Sequence, residues 1–110
     1  METVRASITW PGADIDVIRL FVEPTPDWAA DPLEEDTTVA VLRVLDENER
    51  YTDQVAGIEI VGFLDFDRWD ELPRLDMLWR LPGEEPLPLE ELLRRKQREL
   101  REHEKALASS

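Results

Sequence analysis

The sequence predicts an α+β chain: a four-stranded antiparallel β-sheet, a meander, with a C-terminal helical extension. Three observations predict it. Short runs rich in β-branched residues recur between residues 6 and 63, each bounded by turn residues. Their connections suit hairpins and loops, which antiparallel strands can use and parallel strands cannot. Residues 89–110 carry helix signals instead.

Taken in order, "ASITW" (6–10) alternates weakly and meets Pro11-Gly12, a turn dipeptide, after which "DIDVIRLFV" (14–22) completes a hairpin. "EPTPDWAADPLEED" (23–36) holds three prolines and six acids and reads as an exposed loop. "TTVAVLRVLD" (37–46) and "VAGIEIVGF" (55–63) form the next strand pair, joined by "ENERYTDQ". The sheet domain is thus expected over 1–64. A short helical or irregular connection packing on the sheet is expected over 65–88, with Asp65 or Asp67 as N-cap and Pro73 as stop. Within it, 74–81 is apolar at Leu75, Leu78, Trp79 and Leu81, and its periodicity leaves helix turn and edge strand both open. The charged helix and tail occupy 89–110, with Pro88, Glu90 and Glu91 at the start and Lys105 near the end, in the sense of the helix dipole.

The chain of 110 residues is the size of one domain with one modest core. No run approaches the roughly 18 apolar residues of a membrane helix, and the start has no basic segment followed by an apolar stretch and cleavage site, so a cytoplasmic location is expected. Cysteine is absent, which removes disulfides, thiolate metal sites and cysteine nucleophiles. The net charge of −13 is unevenly spread. Before residue 89 there are 7 Arg against 21 Asp plus Glu, a net of −14; from 89 onward there are 6 Arg plus Lys against 5 Glu, a net of +1. Such an acidic body repels phosphate backbones and attracts basic protein surfaces.

"ADIDVIRL" (13–20), "VLRVLDENE" (41–49) and "VAGIEIVGF" (55–63) together resemble the DUF2283 family of small bacterial proteins, through Asp14, Ile18, Arg19, Leu20, Asp46, Gly57, Ile58, Glu59 and Ile60. The chain departs from the family pattern at Val17, which stands where an aromatic residue is usual, and in "ENERYTDQ", which is longer and lacks the turn glycine. The resemblance implies a small antiparallel sheet and no assigned activity.

Glu59 interrupts an apolar strand, where an unpaired charge is costly. Alternation puts it on one face with Gly57 and Val61. Arg19 lies between Val17 and Phe21, and Arg43 between Val41 and Leu45. The expected arrangement is a cluster of Arg19, Arg43 and Glu59 across neighbouring strands that sets their register, with Ile18, Leu20, Ile58 and Ile60 on the purer core face.

No catalytic residue is assigned, since nothing near Glu59 supplies a nucleophile. The only histidine, His103, falls in the charged helix, where solvent is its expected surrounding. The acidic runs 31–36 and 46–49 lack the alternating ligands and central glycine of a calcium loop, so no metal is expected. Phosphate loops, zinc spacings and nucleophile elbows are missing, and no cofactor is called for. Trp28, in the acidic loop, is a candidate contact residue. Leu89, Leu93, Leu100 and Leu107 form a narrow apolar stripe on the last helix, beside a basic stripe of Arg94, Arg98, Arg101 and Lys105 that could face solvent or dock on an acidic surface.

The functional expectation is a non-catalytic acidic interaction module, forming a homodimer and, like an antitoxin or an inhibitor, masking a basic protein partner. The alternative is a small-ligand or enzymatic site at a dimer cleft near Arg19 and Glu59. Nucleic acid is disfavoured as a partner by the charge of the body.

Overall fold

The structure, a computed structural model, describes residues 2–32 and 38–108. These described residues form seven strands and one α-helix: β1 (Glu2–Thr9), β2 (Val17–Val22), β3 (Trp28–Pro32), β4 (Val39–Leu45), β5 (Tyr51–Val61), β6 (Met77–Arg80), β7 (Leu87–Pro88) and α1 (Leu89–Ala108). Single 3₁₀ turns at Phe63–Asp65 and Trp69–Glu71 lie between β5 and β6. Among the described residues no helix is long and apolar enough to cross a membrane.

All seven strands join one sheet in the order β3-β4-β5-β2-β1-β6-β7, and the β1/β6 pair is parallel. This overturns the expected four-stranded antiparallel meander. Three strands escaped the sequence reading for physical reasons. β3 lies in the proline-rich stretch read as an exposed loop, but it is an edge strand, where a proline can sit without removing a ladder hydrogen bond. β6 has only four residues and pairs with the start of the chain, Val4 facing Trp79, so nothing local announces it. β7 is a two-residue strand on the outer side of β6. The stretch 74–81 thus contains a strand, and the segment 65–88 contributes to the sheet as well as packing on it.

The parallel pair follows from the route of the chain. After β5, residues 62–76 cross one face of the sheet and deliver β6 beside β1, on the far side of β2. Registers of Ile18 with Ile60 and of Val39 with Ile60 put these side chains on that covered face, together with Leu20, Val41 and Ile58. Phe63 and Phe66 from the crossover, Trp79 from β6, and Leu89, Leu92 and Leu93 from α1 close the core over them.

Helix α1 docks by its first half. Gln97, its one buried polar residue, donates from Nε2 to the carbonyl oxygens of Phe63 and Phe66, both at 2.7 Å. The helix and crossover are thereby tied to each other. Leu92 joins Leu89 and Leu93 inside, whereas Leu107, at the end of the expected apolar stripe, is 57% exposed. Lys96 reaches Glu84 (3.5 Å) and Glu99 (3.0 Å), and His103 is exposed.

Gly57 marks the closest approach of two central strands. A Cβ there would lie 2.0 Å from the carbonyl oxygen of Leu20 on β2. Gly57→Ala should therefore destabilise the fold by about 3 kcal/mol, the upper range of overpacking, read as a lower urea midpoint with an unchanged slope. A midpoint equal to that of the wild type would show that the β2/β5 spacing has slack.

Candidate interaction surfaces

The face of the sheet turned away from α1 carries the Arg19–Glu59 pair. The β2/β5 register sets these two residues directly opposite each other, and Arg19 Nε donates to Glu59 Oε2 at 2.7 Å. The Arg19 side chain is 43% exposed and that of Glu59 17%. The guanidinium also lies over the Trp28 ring, 5.8 Å from its centroid, and Trp28 leans on Phe21 with centroids 5.4 Å apart. Glu59 is thus an ionised group tolerated in a strand because an arginine meets it and an indole shields that arginine. Beneath, Phe21, Leu42 and Ala56 form a second, smaller apolar cluster with Trp28, Ala30 and Val44 packed against it.

Arg43 does not join this cluster. Ala40 is the β4 residue facing Glu59, and alternation along β4 places Arg43 with Val39 and Val41 on the opposite side of the sheet. There Arg43 Nε donates to Asp31 at 3.2 Å, and its Nη1 to the Asp53 carbonyl at 3.4 Å. Three interrupting charges therefore make two separate pairs, one on each face.

The turn joining β4 and β5 builds an acidic notch beside Trp28. Asp46 accepts from the backbone N–H groups of Asn48 (2.8 Å) and Arg50 (3.0 Å), and Glu49 takes a left-handed conformation with φ 60°. The Leu45 N–H donates to the Asp27 carbonyl at 2.9 Å and ties the preceding loop to the hairpin. Asp27, Asp46 and Glu49 consequently surround a recess of about 380 Å³ with Pro26, Trp28 and Leu45 on its walls. Asp27 and the acidic turn 46–49 meet here, and the β3/β4 pairing brings them together.

Two larger grooves lie elsewhere. One, of about 690 Å³, runs between α1 and residues 66–69 and is bordered by Arg94, Arg95, Arg98 and Arg101. Arg94 stacks over Trp69 at 4.9 Å and pairs with Glu90 at 3.1 Å; Arg95 reaches Glu99 at 3.6 Å; Arg101 donates to the Leu64 carbonyl at 2.6 Å. Arg94 and Arg101 of the basic stripe are thus braced by their own surroundings, and Lys105 does not line the groove. The other groove, of about 640 Å³, is lined by Arg5, Glu23, Pro24, Arg80, Leu81 and Glu84 among others. Arg5 and Arg80 were invisible as a pair in the sequence because β6 had no signature there.

Neither Arg19 nor Glu59 lines either of these larger grooves. Among the described residues no three of His, Asp and Glu converge as a set able to hold a metal ion. Comparison of the chain with family models, curated proteins and solved structures finds no match.

Since Arg19 is close to half exposed, its pair with Glu59 should contribute modestly. A double-mutant cycle with Arg19→Gln and Glu59→Gln is expected to give a coupling of about 0.5–1 kcal/mol that shrinks as salt is raised. A coupling of about 3 kcal/mol or more, insensitive to salt, would mean that the pair behaves as a dry, buried one.

Proposed function

We propose that this chain is a non-catalytic protein-interaction module that presents an acidic surface to a basic protein partner. The observation that carries the reading is the notch at Trp28, a recess lined by Asp27, Asp46 and Glu49 together with the tryptophan. An arginine or lysine side chain entering it would meet the aromatic surface and the carboxylates together, the combination that favours a partly desolvated cation.

The charge of the molecule supports the same reading. Asp46, Glu47, Glu49 and Asp53 are all exposed along one hairpin, and among the described residues none of the four has an ion-pair partner. Residues 1–88 carry a net charge of −14, so the field around the body attracts a basic surface before contact is made. Inhibition of a basic enzyme or neutralisation of a basic toxin are both within the reach of such a surface. The catalytic alternative near Arg19 and Glu59 lacks comparable support, since the carboxylate already accepts from its arginine and, among the described residues, neither side chain lines the two larger grooves.

The test is fluorescence anisotropy with a labelled oligoarginine peptide, with an oligoglutamate peptide as control. Binding of the basic peptide should weaken steeply as salt rises, and Trp28→Ala should weaken it about tenfold, in line with a cation–π contact of about 1.4 kcal/mol. Asp27→Asn and Glu49→Gln, at exposed positions, should each weaken binding without lowering the melting temperature. Equal affinity in all three variants, or an affinity independent of salt, would place the contact elsewhere.

A further inference from the structure

The β1/β6 pairing creates an arrangement that no other described residue neutralises. Arg5 and Arg80 occupy partnered positions on the two parallel strands, next to the Val4/Trp79 pair that points into the core. Both are exposed, and both border the groove of about 640 Å³. Like charges at facing strand positions repel. Neither arginine has an ion-pair partner within 4.0 Å among the described residues.

Two carboxylates line the same groove, and both are engaged elsewhere. Glu23 is the cross-strand neighbour of Arg5, its N–H donating to the Arg5 carbonyl at 2.8 Å, yet its side chain accepts from the hydroxyls of Ser7 and Thr25. Glu84 meets Lys96 of α1 at 3.5 Å. The groove's own acids thus leave unpaired two arginines at partnered strand positions, in a molecule with twice as many acidic as basic residues. Pro24, Leu81 and Pro82 supply apolar wall beside them.

We propose that Arg5 and Arg80 form a clamp for a small anionic ligand, a single carboxylate or phosphate group carried on a compact apolar body. Guanidinium groups offer forked donors that match either oxyanion, and an anion between the two turns their repulsion into attraction on both sides. The apolar wall receives the remainder of the ligand. This site is separate from the Trp28 notch and shares no residue with it, so either can fail alone.

The test is thermal unfolding of the full chain in chloride buffers of matched ionic strength, titrated with inorganic phosphate, phenyl phosphate or benzoate. At least one of the three should raise the melting temperature saturably, by about 5 °C at ten times its dissociation constant. Phosphate alone, phenyl phosphate, or benzoate as the strongest probe would identify the anion and the need for the apolar body. Arg80→Gln and Arg5→Gln should each abolish the rise. In chloride alone they should melt no lower than the wild type, because each removes a repulsion, whereas Arg98→Gln in the α1 groove should leave the rise intact. No saturable rise with any probe, a rise that survives both clamp variants, or a rise lost only in Arg98→Gln would overturn the proposal, as would clamp variants that melt well below the wild type without ligand.

Discussion

The covering of one sheet face is the constraint on which the other features depend. A sheet with Ile18, Leu20, Val39, Val41, Ile58 and Ile60 on one side must keep that side from water, and this chain does so with residues 62–76 and the first half of α1. The two covering pieces are joined where Gln97 takes the carbonyls of Phe63 and Phe66. A crossover that traverses β2 and β1 ends beyond β1, so the strand that follows can only extend the sheet there and in parallel. Seven strands in place of four, and the adjacency of Arg5 to Arg80, are consequences of that single traverse.

The opposite face is organised by different means. Among the described residues no helix covers it, and Trp28 from the edge strand packs on its small apolar cluster. Trp28 touches Phe21 with one part of its ring system and lies beneath the Arg19 guanidinium, while its surroundings at the hairpin end are acidic. One side chain therefore closes a cluster, shields an ion pair and walls a recess. Charged and aromatic side chains on this thinly covered face remain within reach of solvent, whereas the α1 side is committed to packing.

Parts of this organisation were legible in the sequence. The β-branched runs within 14–22, 37–46 and 55–63 correspond to β2, β4 and β5, where local preference and burial agree. The helix beginning at Leu89 was legible from its acidic first turn and basic end. Edge and short strands were not: β3 is read as loop because prolines dominate its composition, and β6 owes its conformation to Trp79 entering the core rather than to any alternation of its own. Charges within strands could be recognised as needing partners, but alternation alone does not say which charge meets which. Ala40, and not Arg43, proved to stand against Glu59, since a shift of one residue in pairing exchanges the faces.

By itself, the sequence determined the charge asymmetry, the absence of thiol chemistry, the identity of the central strands and the presence of the terminal helix. These depend on composition and on interactions between near neighbours. Tertiary structure alone decided the mixed topology, the separation of Arg43 from Glu59, the meeting of Asp27 with Asp46 and Glu49 at Trp28, and the juxtaposition of Arg5 with Arg80. Each of those is a long-range pairing, chosen by which register and crossover bury the most apolar surface, and no window of local sequence contains that comparison.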